Sequence, residues 1–154
     1  SHVIDRVDRR ILMALQANGR ISNQELAAQV HLSAAQCNRR HRRLERLGYV
    51  KRYEARLDAD RLGLGVTAFV HVTMERGQFK EVLKFQRTID GMPEILECHA
   101  VTGDFDYVCK VVASDLKSLS NFLLGTLAQL PGVNGVRSSI CLNELKCTSA
   151  LPLE

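Results

Sequence analysis

LSAAQCNRRHRRLERLGYVKRY, residues 32–53, gathers Arg39, Arg40, Arg42, Arg43, Arg46, Lys51 and Arg52 while keeping Leu32, Cys37, Leu44 and Leu47 at helical spacing. At roughly 100° per residue, Cys37, His41, Leu44 and Leu47 share one flank of a helix over residues 34–47. Ala35, Asn38, Arg39, Arg42 and Arg46 lie opposite, with Arg43 beside them. Ser33 and Gln36 form a capping box at its start, and Leu32 with Cys37 occupy the staple positions. Gly48 is placed to end it. One flank is therefore built for burial and the other for something negative.

Upstream, IDRVDRRILMALQANG (4–19) repeats apolar residues at Ile4, Val7, Ile11, Ala14 and Leu15, which predicts an amphipathic helix. Asp5 caps it, and Asn18-Gly19 is expected to close it with a left-handed turn. ISNQELAAQV (21–30) is a second helix with a Ser22/Glu25 capping box, and His31-Leu32-Ser33 separates it from the basic helix. Downstream, YVKRYEARL (49–57) reads as a strand that adds Lys51 and Arg52.

Two short helices joined by three residues, the second with a basic outer flank, describe a helix-turn-helix. A basic flank alone fits a solvated surface equally well. The capping boxes, the short turn, the sorting of charge and the basic strand together point to double-stranded DNA. Such a helix fits the major groove, its amino end faces base edges, and its arginines reach phosphates. The expected DNA-binding residues are Ser33, Ala35, Gln36, Asn38, Arg39, Arg42, Arg43, Arg46 and Lys51. Arg40, at the edge of the apolar flank, is expected to pair with an acid of the first helices instead.

The charge of the whole chain supports a division of labour. Residues 1–61 hold 13 Lys/Arg against 7 Asp/Glu, net +6, and residues 62–154 hold 8 against 10, net −2, giving the overall +4. After a connector over 57–65, alternation begins: Val66, Ala68, Val70, Val72 and Met74 point one way. A helix from about Gln78 to Ile89 is expected to bury Phe79, Val82, Leu83 and the neighbours of Gln86. Strands EILECHAV (94–101) and YVCKVVA (107–113) flank TGDFD. A second helix, about Leu116 to Gln129, is expected to bury Leu116, Leu119, Leu123 and Leu127, capped by Ser114 or Asp115. VRSSICLNELK (136–146) is the last strand. The order βαββαβ is the ferredoxin-like plan, so the fold class is α+β: residues 3–56 a DNA-binding domain, 57–65 a linker, 66–154 a ferredoxin-like domain. In the second strand Ile95, Glu97, His99 and Val101 alternate with Leu96, Cys98 and Ala100, leaving apolar residues on both faces. Helices cover only one face, which predicts dimerisation through the other.

No catalytic constellation is legible: G-x-S-x-G, Walker, H-E-x-x-H and G-x-G-x-x-G patterns are missing from the sequence, so an enzyme is not expected. The five cysteines, at 37, 98, 109, 141 and 147, form no C-x-x-C pair. They read as buried free thiols in a reducing compartment, with no metal site. Glu97-Cys98-His99 suggests zinc only until strand alternation turns Cys98 away from its neighbours. No apolar run approaches the ~18 residues of a membrane span, and a soluble, cytoplasmic protein is expected. TGDFD (102–106) reads from spacing as a hairpin turn whose Gly103 permits the bend and whose aspartates bond backbone.

IDRVDRRIL, NGRISNQELA, LSAAQC, RRLERLGYVKRY, LGLGVTAFVHV, ECHAVTGDFDYVCKV and LPGV occur in an order that resembles the Lrp/AsnC (leucine-responsive / asparagine-responsive) transcription regulators, almost end to end. The resemblance implies an amino-terminal winged helix-turn-helix, a ferredoxin-like ligand-sensing domain, and homodimers that assemble to tetramers or octamers. It implies an amino acid as effector, held near Thr102, Gly103, Asp104, Phe105 and Asp106, with Ser138, Ser139 and Ile140 contributed by a neighbour. No other cofactor is implied. Two departures stand out: SAAQC lacks the family's usual prolines, and His41 takes a usually apolar position, where a neutral, hydrogen-bonded histidine is expected. A rival reading is an architectural protein that compacts DNA with little sequence preference and no ligand.

Overall fold

The computed structural model describes residues 3–77 and 79–153. They form two units, residues 3–56 with 146–153, and residues 57–145. In the first, α1 (Arg6–Ala17), α2 (Asn23–Val30) and α3 (Ala34–Arg46) pack around Ile11, Leu26, Cys37 and Leu44, all fully buried. Asp5 and Asp8 make a reciprocal capping box on α1. The turn expected at Asn18-Gly19 differs: Asn18 is extended, at φ −152°, and its side chain accepts the Arg20 amide instead. The left-handed residue of this region is His31, at φ 57°, which closes α2 and lets the Leu32 amide reach the Ala27 carbonyl. Ser22 caps α2 by accepting the Glu25 amide, so only that half of the expected box forms.

The expected strand at residues 49–57 does not form: the segment is coil, with no strand assigned to it among the described residues. A strand needs a neighbour, and this unit supplies none. Residues 146–153, assigned by pattern to the second domain, belong to the helical unit. The Leu151 amide donates to Gln16 Oε1, Gln16 Nε2 donates to the Leu151 carbonyl, and Leu153 packs on the helical core.

The second unit follows the βαββαβ order: β1 (Val66–Met74), α4 (Phe79–Asp90), β2 (Ile95–Ala100), β3 (Tyr107–Ala113), α5 (Leu116–Gly125) with a short 3₁₀ turn (Leu127–Gln129), and β4 (Val133–Ile140). The sheet order β2-β3-β1-β4 is antiparallel throughout. The expected helix start at Gln78 lies outside the described residues. The inward phase of α4 runs through Val82, Phe85 and Ile89, while Phe79 is 72% exposed and Leu83 also faces solvent. In α5, Asp115 is the cap, Leu119, Phe122 and Leu123 are buried, and Leu116, expected inside, is exposed in the first turn. The last strand starts and stops earlier than its pattern suggests. Residues 141–150 are exposed coil, and Cys141 and Cys147 are exposed free thiols rather than buried ones.

The second strand also corrects its alternation. Its register slips between Ile95 and Glu97, a bulge at Leu96. Ile95 thereby joins the core with Cys98, while Glu97 and His99 turn to the other face, where they pair at 3.1 Å. The open sheet face is mixed rather than apolar. Phe69 is half exposed on it, next to His71 and Lys110.

Candidate functional site: a nucleic-acid interface and a sensing loop

The amino end of α3 is fixed by Ser33, whose hydroxyl accepts the Gln36 amide at 3.2 Å, while Gln36 Oε1 accepts the Ser33 amide at 3.3 Å. The side-chain oxygen of Gln36 is thus occupied by the cap, and the residue itself is exposed. At the other end Gly48, at φ +84°, lets the Tyr49 amide reach the Leu44 carbonyl and stops the helix. Replacing Ser33 with alanine removes the cap and costs about 1 kcal/mol, read as a lower urea midpoint of the helical signal.

Between these ends the helix sorts its side chains as periodicity requires. Cys37 and Leu44 are buried, His41 and Leu47 half-buried. Ala35, Gln36, Arg39, Arg42 and Arg46 are exposed, Asn38 is half-buried, and Lys51 beyond the helix is exposed. Arg39, Arg42 and Arg46 form a row at i, i+3 and i+7, with no ion pair among the described residues.

Two arginines face the other way. Arg40 Nη1 donates to Asp5 Oδ2 at 2.7 Å and to Asp8 Oδ1 at 3.2 Å, as expected from its place on the helix. The Arg40 guanidinium, with the Asp8 amide second, holds the Asp5 carboxyl below its ordinary value of 3.8. Arg43, grouped by sequence with the phosphate contacts, lies with Nη1 3.7 Å from Asp8 Oδ2 and is half-buried. Its charge is partly committed to α1. Asp8 is the single buried charged residue of the described chain.

His41 Nε2 lies 2.8 Å from the Tyr53 hydroxyl in a hydrogen bond, so the polar ring on the inward flank is satisfied. Burial, and then the neighbouring Glu45 carboxylate, pushes the Tyr53 phenol up to about 12. The bond ties the chain leaving α3 back to the helix.

In the second unit, loop 102–106 sits at the end of the β2–β3 hairpin. Thr102, Gly103 and Asp104 are exposed, and Gly103 adopts φ +108°. Asp106 anchors the loop: its carboxylate accepts the Met74 amide at 2.7 Å, and its own amide donates to the Val72 carbonyl at 3.0 Å. Phe105 folds onto the open sheet face, with its ring 4.6 Å from that of His71 and with the Arg137 guanidinium 6.0 Å from its centroid. His71 and Arg137 are direct partners in the β1–β4 register. Sequence reading missed Arg137. A lone cation in the last strand gives no signal until that register is known.

Within one chain Ser138, Ser139 and Ile140 do not join the loop. They pair with Val70, Phe69 and Ala68, two to four residues along β1 from the loop's anchor at Val72. Among the described residues no group of three or more His, Cys, Asp or Glu is placed to hold a metal ion. No described helix is long and apolar enough to cross a membrane.

A three-helix head with an uncompensated arginine row, in a chain with a ferredoxin-like unit, defines a DNA-binding regulator with a second, sensing unit. Residues 4–51 match the family described as winged helix-turn-helix DNA-binding, and residues 67–151 match the Lrp/AsnC ligand binding domain. The chain is 40% identical over 151 residues to the leucine-responsive regulatory proteins of Escherichia coli and Salmonella typhimurium, covering 98% of this chain and 92% of each relative. A transcriptional regulator of Neisseria meningitidis, solved as its L-Met complex, superposes with a TM-score of 0.95 at 38% identity, covering 98% of this chain and 97% of that one. An AsnC family transcriptional regulator of Agrobacterium tumefaciens gives 0.91 at 31% identity, with 97% of both chains covered. The chain belongs to the Lrp/AsnC family of DNA-binding transcriptional regulators.

Proposed function

We propose that the chain reads a specific duplex sequence with α3 and that an amino acid, held at loop 102–106, changes its assembly or its affinity for that duplex. The observation that carries the reading is the row of exposed arginines at positions 39, 42 and 46 on a helix capped at both ends. Ser33, Ala35, Gln36 and Asn38 lie toward the amino end of that helix, where base edges come within reach, and Lys51 follows its carboxyl end. For the effector, Asp104 offers an exposed carboxylate to an ammonium group, beside the Phe105–His71–Arg137 cluster. The Neisseria relative in complex with L-Met supports an amino acid as the ligand class. Ser138, Ser139 and Ile140 then act from a neighbouring copy in a homodimer or a higher assembly, since their own loop is out of reach.

The test is binding to operator and random duplexes at matched salt. A specificity ratio of about 10³ or more is expected for a sequence reader. Equal affinities would favour compaction of DNA without sequence preference. Thermal-shift screening of the twenty amino acids identifies the effector, and sizing with the best hit reports the assembly. Gly103→Val places a β-branched residue at positive φ and distorts the loop, raising the effector Kd about tenfold by calorimetry, with DNA affinity in the absence of effector unchanged.

A further inference from the structure

β2 and β3 set Cys98 directly opposite Cys109, and the two sulfurs lie 3.4 Å apart. Neither thiol belongs to the reading helix or to loop 102–106. Antiparallel partners hold their Cα atoms about 4.5 or 5.5 Å apart, and both spacings fall within the span a disulfide accepts. Closing the sulfurs to a bond of about 2.05 Å requires only a small rotation about each Cα–Cβ bond.

The two thiols differ in access. Cys109 is fully buried. Cys98, on the edge strand, is half-buried and opens into a groove of about 380 Å³ between α4 and β2, walled by Gln86, Ile89, Asp90 and Tyr107. The Cys109 S–H donated to Cys98, together with the nearby His99, holds the Cys98 thiol below its ordinary value of 9.0 despite burial. The same contact, and then burial, pushes Cys109 up. The sulfur open to the groove is thus that of Cys98, with Cys109 behind it as the resolving thiol. The remaining cysteines do not share this arrangement: Cys37 is buried in the other unit, and Cys141 and Cys147 are exposed.

We propose that Cys98 and Cys109 form a hydroperoxide-sensitive dithiol that closes to a disulfide across the β2–β3 hairpin. In the first step the Cys98 thiolate attacks one oxygen of hydrogen peroxide. The S–O bond forms, the O–O bond breaks, and the leaving hydroxide takes a proton to become water. In the second step the Cys109 sulfur gives up its proton and attacks the Cys98 sulfur. The S–S bond forms, the S–O bond breaks, and a second water leaves. Two thiols are oxidised and one peroxide is reduced. The resulting ring encloses residues 99–108, and with them the whole of loop 102–106.

The full chain is treated with hydrogen peroxide, alkylated, and digested with trypsin without reduction. Cleavage after Arg87 and Lys110 releases both cysteines in one peptide, Thr88–Lys110, with no third cysteine. The expected product is that peptide, unalkylated and lighter by two hydrogens, formed at a rate independent of protein concentration. Cys109→Ser should leave Cys98 as a sulfenic acid trapped by a cyclic 1,3-diketone, and Cys98→Ser should leave Cys109 reduced. Recovery of both thiols alkylated, under peroxide exposure that oxidises Cys141 or Cys147, overturns the proposal. So does recovery of Cys98 bridged to any cysteine other than Cys109. The mass readout is independent of any effector, so it stands or falls apart from the sensing role of the loop.

Discussion

Replacing Arg39 and Arg42 together with alanine lowers affinity for an operator duplex about thirtyfold or more, while the thermal midpoint of the free protein hardly moves. A guanidinium bidentate to a guanine edge, or one meeting a phosphate, is worth about 1–3 kcal/mol, so two lost contacts reach that factor. Folding is spared because both side chains are exposed and neither is ion-paired among the described residues. Surface changes of that kind stay within about 0.5 kcal/mol. Titration across salt separates the roles. A phosphate contact reduces the salt slope by about one for each cation lost, whereas a base contact relaxes specificity at one position. Wild-type affinity in the double variant would mean that α3 is not the reading helix.

Asp8→Ala destabilises the helical unit by about 2–3 kcal/mol. The Asp8 side chain is 3% exposed and accepts from Arg40, with Arg43 at 3.7 Å and the Asp5 amide at 3.1 Å. Removing it leaves two guanidiniums without their shared partner and an orphan amide at the start of α1. The cost stays below that of a fully buried pair because Arg40 and Arg43 keep 33% and 38% of their side chains in water, and Arg40 retains Asp5. Urea unfolding followed by helical circular dichroism checks the figure. A loss under about 0.5 kcal/mol would mean the triad contributes nothing beyond surface pairing. The variant also frees Arg43, so at temperatures where it stays folded its non-specific DNA binding should rise slightly rather than fall.

Local rules carried the reading of α3. Its caps are fixed by Ser33, Gln36 and Gly48, all within one turn of the helix ends, and its sorting of charge follows from 3.6-residue periodicity. The βαββαβ order was legible for the same reason, and β3 runs over Tyr107–Ala113 as its alternation suggests. What failed was set by distant partners. In α4 two overlapping apolar phases exist, and contact with the sheet selects the one through Phe85 over the one through Phe79. The slip at Leu96 is invisible until β2 is laid against β3. Arg43 looks like its neighbours in sequence, and only the packing of α1 brings Asp8 to it. The cluster of Phe105, His71 and Arg137 joins a loop to two strands far apart in sequence. Sequence pattern picks out the loop and leaves the other two unmarked.

The clasp between Gln16 and Leu151 has a consequence for how the molecule is made. Residues 146–153 emerge from the ribosome after all of residues 57–145, so the DNA-reading head cannot finish assembling until the whole second unit has been synthesised. A fragment cut at residue 56 lacks that fastening, and isolating a sturdy head means stitching the tail back onto it.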